Sequence, residues 1–147
     1  MEGVVVTLLK QIEDERGKVM HFLRSDWDVY NGFGEVYFSV IKSGKIKGWK
    51  KHKEMTQNLV CVTGEIKLVL YDDRNESITY GNLREIYIGE QNYNLITIPP
   101  GIWVSFASLN EESVLANCAS ILHDPAEGLS LPVETERIPY NWEIPNA

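Results

Sequence analysis

Residues 44–64 read GKIKGWKKHKEMTQNLVCVTG, and the spacing within this stretch decides the fold. Six of the chain's nine lysines fall between Lys42 and Lys53, although the 147 residues together carry a formal net charge of -7. One histidine, His52, stands among them. Side chains on a strand alternate between faces. Counted that way, Ile46, Gly48, Lys50 and His52 share one face, while Lys45, Lys47, Trp49, Lys51 and Lys53 share the other. A bulge at Gly48 would move this assignment by one residue. The lysine run is thus expected to divide into a solvated outer face and an inward pair, Lys50 and His52.

The flanking sequence shows no sustained helical period. Short apolar or alternating runs recur instead, at residues 4–9, 19–23, 35–41, 59–62, 65–71, 84–88, 95–98, 104–106 and 114–121, with glycines at or near the breaks. In one of them Ile66, Leu68 and Leu70 fall on a single face. Many short strands at near-regular spacing predict an all-β sandwich or barrel. Residues 26–31 are expected to make a short helical turn, and the proline-bearing tail, about 124–147, to wrap the surface irregularly. One domain covering 1–147 suits this length.

Composition narrows the partners. The negative net charge argues against nucleic acid or an anionic membrane as a bulk partner. The opening MEGVVVTLLKQ is only briefly apolar and carries Glu2, unlike a secretory leader. No run approaches membrane-spanning length, and a cytoplasmic location is the expectation. Cys61 and Cys118 lie in apolar runs and match no zinc spacing, so both are expected as buried thiols.

Gly44, His52 and Gly64 stand where the first signature of the cupin barrels has its first glycine, second histidine and closing glycine. Lys50 takes the place of the first histidine and Gln57 that of the glutamate. Pro99-Pro100-Gly101 resembles the second signature, with Val104 where a histidine would follow. A metal in such a barrel would want imidazole and carboxylate ligands. His52 alone survives of the usual ligand positions, and an ammonium at Lys50 repels a cation, so no metal is expected.

The chain also resembles the dTDP-4-dehydrorhamnose 3,5-epimerase family, a metal-free sugar branch of the cupins, over nearly its whole length. Asp14-Glu15-Arg16-Gly17 and Phe33-Gly34-Glu35-Val36-Tyr37-Phe38 carry the likeness early in the chain. Residues 66–74 (IKLVLYDDR), Ile98-Pro99-Pro100-Gly101-Ile102-Trp103, Ala116-Asn117-Cys118 and His123-Asp124-Pro125-Ala126-Glu127 continue it in order. Around His52 the spacing is also similar to the sugar 3,4-ketoisomerases. The resemblance implies a cupin-type double-stranded β-barrel (jelly roll), a homodimer formed by exchange of N-terminal strands, a nucleotide-sugar substrate and no cofactor.

Residue by residue, the resemblance implies that Arg16 reaches toward the nucleotide phosphates in a paired subunit, and that Lys47 stands in for a phosphate-contacting arginine. It places Glu35 and Tyr37 on the strand lining the sugar pocket. Lys50 replaces the histidine used as general base, and Asn117 falls about where a tyrosine acid is expected. Lys67 is taken as a further phosphate contact. Epimerisation beside a 4-keto group needs a base for the α proton, a stabilised enolate and an acid on the opposite face. Imidazole suits the base because its ordinary pKa is about 6.5. A lysine, ordinarily about 10.4, serves only where burial or neighbouring cations lower it. The expected function is a metal-independent nucleotide-sugar epimerase or isomerase acting on a 4-keto-deoxysugar, with Lys50 and His52 making the proton transfers. A non-catalytic cupin that binds an anionic sugar or sugar nucleotide is the competing reading, because Lys50 and Asn117 replace the family's base and acid. A metal-dependent dioxygenase is disfavoured by the missing ligands.

Overall fold

The computed structural model describes residues 1–143. Its strands, in chain order, are β1 (Val5–Leu8), β2 (Gln11–Asp14), β3 (Gly17–Met20), β4 (Glu35–Lys42), β5 (Ile46–His52) and β6 (Gln57–Thr63). They continue as β7 (Glu65–Asp72), β8 (Leu83–Gly89), β9 (Asn94–Ile98), β10 (Ile102–Ser108), β11 (Glu112–Ala119) and β12 (Gly128–Ser130). Pairing divides them into two five-stranded antiparallel sheets, ordered β1-β9-β6-β11-β4 and β12-β5-β10-β7-β8, with β2 and β3 as a separate hairpin. This is the all-β class that the short, regularly spaced strand runs predict, in the cupin-type jelly roll that the resemblance implies. Among the described residues no helix is long and apolar enough to cross a membrane.

Three apolar layers hold the sheets. Between them lie Ile66, Leu68 and Leu70 of β7 with Leu59, Cys61, Ile96, Ile98, Ile102, Val104 and Leu115. The alternation seen in the sequence of β7 is therefore real, and burying each of these large side chains contributes roughly 2 kcal/mol. Outside the first sheet, Val60, Tyr93 and Leu95 are covered by Phe22, Leu23, Trp27 and Val29. Outside the second, Trp49, Val69 and Trp103 are covered by Leu131, Ile138, Tyr140 and Trp142 of the C-terminal segment. Strands covered on both faces lose their alternation. That is why β6, β9 and β10 are mostly apolar and show no clean alternation of apolar and polar residues.

Gly64 makes the turn from β6 to β7 with φ +76°, and a Cβ there would lie 2.4 Å from Ser113 Oγ. A side chain is excluded on both counts. Residues 26–31 differ from expectation: Trp27 N–H donates to Arg24 O and Tyr30 N–H to Trp27 O, giving consecutive turns rather than a helix. The tail is not wholly irregular either. Its residues 128–130 form β12, which pairs with β5 and brings the tail against His52. Pro145 and the rest of 144–147 lie outside the described residues.

Candidate active site

Residues directly opposite in an antiparallel pair project to the same face. Val104 lies in the core and pairs with Lys50, so Lys50 and, two residues on, His52 face the interior. Phe106, also packed on the core, pairs with Lys47. Gly48 and Trp49 together oppose Ser105, a β-bulge that turns both outward and brings Lys47 inside. The unbroken alternation therefore holds for Lys50 and His52 and fails for Lys47. On the other sheet Asn117 pairs with core Leu59 and with Tyr37, and Glu35 pairs with Ala119, so Glu35, Tyr37 and Asn117 face inward as well. β4 and β10 come together across the interior. The two groups of polar side chains thus line facing walls of one cleft.

His52 is the centre of one wall. Its Nδ1 lies 2.7 Å from Glu127 Oε2, and the two side chains are only 4% and 6% exposed. Glu127 Oε1 accepts from the amides of Glu54 and Met55, each at 2.9 Å. Burial pushes the Glu127 carboxyl up, but those amides and the imidazole outweigh it and hold the pKa at about 2. An ionised carboxylate can only accept, so His52 Nδ1 carries the proton and donates it. Nε2 is buried with no hydrogen-bond partner. An imidazole fixed through Nδ1 with a bare Nε2 is equipped to take a proton at Nε2.

Lys50 lies beside it. A Cβ built on Gly128 would sit 3.5 Å from Lys50 Cε and 4.0 Å from His52 Nδ1, so both side chains rest against the same glycine. The burial that a lysine base needs is absent, because Lys50 is exposed.

The opposite wall is a bonded polar row. Asn117 Nδ2 donates to Tyr37 Oη at 2.9 Å, while its Oδ1 accepts from Asn58 N–H at 3.1 Å. Asn58 is held in turn by Cys118 O and Thr97 Oγ1. Glu35 Oε1 accepts from His123 N–H, which ties β4 to the start of the tail. Gln57 pairs with core Ile98 and so faces inward too.

Other expected residues are not brought together with these. Lys67 pairs with Ala107 and Tyr87 on the outer face of the second sheet, the face opposite Leu68. Its Nζ is 2.8 Å from Glu85 Oε1 and stands over the rings of Tyr87, Tyr140 and Trp142. The strand period turns Lys67 away from the cleft, and a phosphate contact there is corrected to a structural ion pair. Arg16 sits at the tip of the β2–β3 hairpin, exposed and paired with Asp14 at 2.7 Å. Trp103 lies under the tail, donates to Asp73 Oδ2 and carries Lys51 Nζ 4.7 Å from its ring centroid. Glu127 was missed from sequence, since its partner is 75 positions away. The one signal was its place in the His123–Glu127 element that resembles the epimerases.

The family model described as dTDP-4-dehydrorhamnose 3,5-epimerase matches residues 1–147. The chain belongs to that family. Among curated relatives it is 38% identical over 144 residues to the probable low-salt glycan biosynthesis epimerase Agl13 of Haloferax volcanii, covering 96% of this chain and 89% of the relative. It is 30% identical to the spore coat polysaccharide biosynthesis protein SpsL of Bacillus subtilis, covering 97% and 96%. The crystal structure of a dTDP sugar isomerase from Desulfovibrio desulfuricans superposes with a TM-score of 0.93 at 39% identity, covering 96% of this chain and 91% of that one. Within this epimerase family, the present chain keeps the fold and presents its imidazole from position 52.

Proposed function

We propose that this chain is a nucleotide-sugar epimerase or isomerase that moves protons beside the carbonyl of a 4-keto-deoxysugar, using side chains alone. The observation that carries the reading is the buried His52–Glu127 pair, with Nε2 unbonded, on the inner wall of an epimerase-family jelly roll. His52 removes the α proton. Lys50 offsets the charge that develops on the enolate oxygen. Glu35 and Asn117 hold the sugar, Lys47 meets the phosphates, and Arg16 meets them from a second subunit. A purely binding protein has no use for a carboxylate-anchored imidazole with an open nitrogen, which disfavours the non-catalytic reading.

The same reading includes a homodimer that exchanges N-terminal strands. Its support is exposed apolar surface: Ile12 and Val19, paired on one face of the β2–β3 hairpin, are 56% and 61% exposed. Val36, Phe38 and Val40 project outward from edge strand β4. Contiguous apolar surface of this kind marks an interface.

The test is incubation of the protein with dTDP-4-keto-6-deoxyglucose in deuterium oxide. NMR should show deuterium entering at C3 or C5, with the exchange lost in His52→Asn and slowed, but not lost, in Lys50→Met. Binding without exchange in the unmodified protein would refute the enzymatic reading.

A further inference from the structure

The reaction proposed above needs an acid facing the base, and Asn117 stands at the position where the resemblance places a tyrosine. From the cross-strand geometry we infer that Tyr37, on the neighbouring strand, is the proton donor of this site, and that Asn117 is its positioning residue. This inference rests on the proton-transfer reading of the cleft.

Position comes first. Tyr37 and Asn117 are directly opposite on β4 and β11, on the inner face, so a hydroxyl missing from residue 117 is supplied from the next strand. His52 projects from the other sheet. His52 and Tyr37 thus stand on the inner faces of the two opposed sheets. Tyr37 is 39% exposed, so its ring reaches the open cleft rather than the packed core.

Orientation comes second. Asn117 is 2% exposed, and its amide cannot turn, because Oδ1 already accepts from Asn58 N–H. Its Nδ2 is thereby aimed at Tyr37 Oη, and Asn117 is the one hydrogen-bond partner of that oxygen among the described residues. The phenol oxygen accepts from the protein and keeps its own proton for something in the cleft. When that proton leaves, an N–H is already in place to meet the charge on oxygen, with no reorganisation required.

The steps balance. His52 Nε2 takes the proton on the carbon next to the carbonyl. The C–H electron pair becomes the carbon–carbon double bond of the enolate, and the carbonyl π pair moves to oxygen. On collapse the oxygen pair re-forms the carbonyl, and the carbon takes the Tyr37 proton from the opposite face. The imidazolium and the phenolate then return to their starting states by exchange with water.

Tyr37→Phe, which keeps the ring, separates the two half-reactions on dTDP-4-keto-6-deoxyglucose in deuterium oxide. Inversion should fall by roughly 10²–10⁴-fold, the usual contribution of a positioned acid. Deuterium exchange should persist with retention of configuration, because His52 can return a solvent-derived deuteron to the face it took the proton from. Persisting exchange also shows that the variant is folded. Asn117→Asp should lower kcat by a larger factor than it raises KM and shift the alkaline limb of the pH–rate profile, since a carboxylate beside Oη opposes negative charge there. Inversion by Tyr37→Phe at the original rate would overturn the assignment. So would loss of exchange and inversion together, which would make Tyr37 a binding group. Absence of exchange in the unmodified protein would instead bring down the proton-transfer reading itself.

Discussion

Lys67 and His52 belong to the same sheet, face opposite ways and each lie against a glutamate. Lys67 is satisfied on every side. Burial alone would lower its pKa, but Glu85 and Tyr140 outweigh that and raise it, so the ammonium is a permanent cation. Tyr140 Oη donates to the same Glu85 oxygen at 2.5 Å, pinning the tail over the sheet. His52 is held as firmly through Nδ1, yet its Nε2 is left bare. An unpaired buried polar atom costs about 1–3 kcal/mol. The indole N–H groups of Trp49 and Trp142 are also unpaired, but neither takes a proton. The lesson is that a charged pair saturated with partners serves stability, and one that leaves a single nitrogen without a hydrogen-bond partner serves chemistry.

The largest expected effect is at the dyad. Glu127→Gln removes the carboxylate that fixes the imidazole, and deuterium exchange into a 4-keto sugar nucleotide should fall by at least ~10²-fold. Lys67→Leu should leave that exchange rate unchanged in the same assay. If Lys67→Leu were the more damaging of the two to exchange, the distinction between the faces would fail.

Acid stability gives the next effect. Glu127 has its pKa depressed from 4.5 to about 2, so its contribution is present above pH 4.5 and is lost as pH falls toward 2. That contribution is on the order of 3 kcal/mol. Asp72, buried and bonded to Arg74, Ser77 and Thr79, is also depressed, and it weakens in the same direction. Melting temperature should therefore drop in acid, and Glu127→Gln should soften that drop without abolishing it.

Smaller effects belong to the outer face. Lys67→Leu should cost about 1 kcal/mol through the lost ion pair and cation–π contacts. Because the Lys67 pKa is raised, its contribution is present at neutral pH and is lost only as pH rises beyond the ordinary lysine value. Urea titration at neutral and alkaline pH would show the variant and the parent converging at the alkaline end. Tyr140→Phe should cost ~1 kcal/mol or less, the net value of one hydrogen bond.

Much of this was readable in the sequence, and the failures have physical causes. Glycine spacing and the alternation of Ile66, Leu68 and Leu70 are local, and they gave the fold class and the inward Lys50 and His52. The bulge at Gly48 and Trp49 was foreseeable only as a possibility, since it depends on what opposes Ser105. Lys67 was misjudged although the period of its own strand turned it outward. Glu127 and the Tyr37–Asn117 pair depend on contacts between distant segments, set by strand register. β12 is Gly-Leu-Ser, with no strand signature of its own. It exists because the edge of β5 was open to it.

The most direct test of the account is the protonation pattern of the His52 ring, read by nitrogen NMR on protein carrying labelled histidine in mildly alkaline buffer. A proton on Nδ1, coupled to Glu127, and a bare Nε2 are the expected result, with the pattern lost in Glu127→Gln. A proton resting on Nε2 would contradict the account, because the atom assigned to take the substrate's proton would already be occupied.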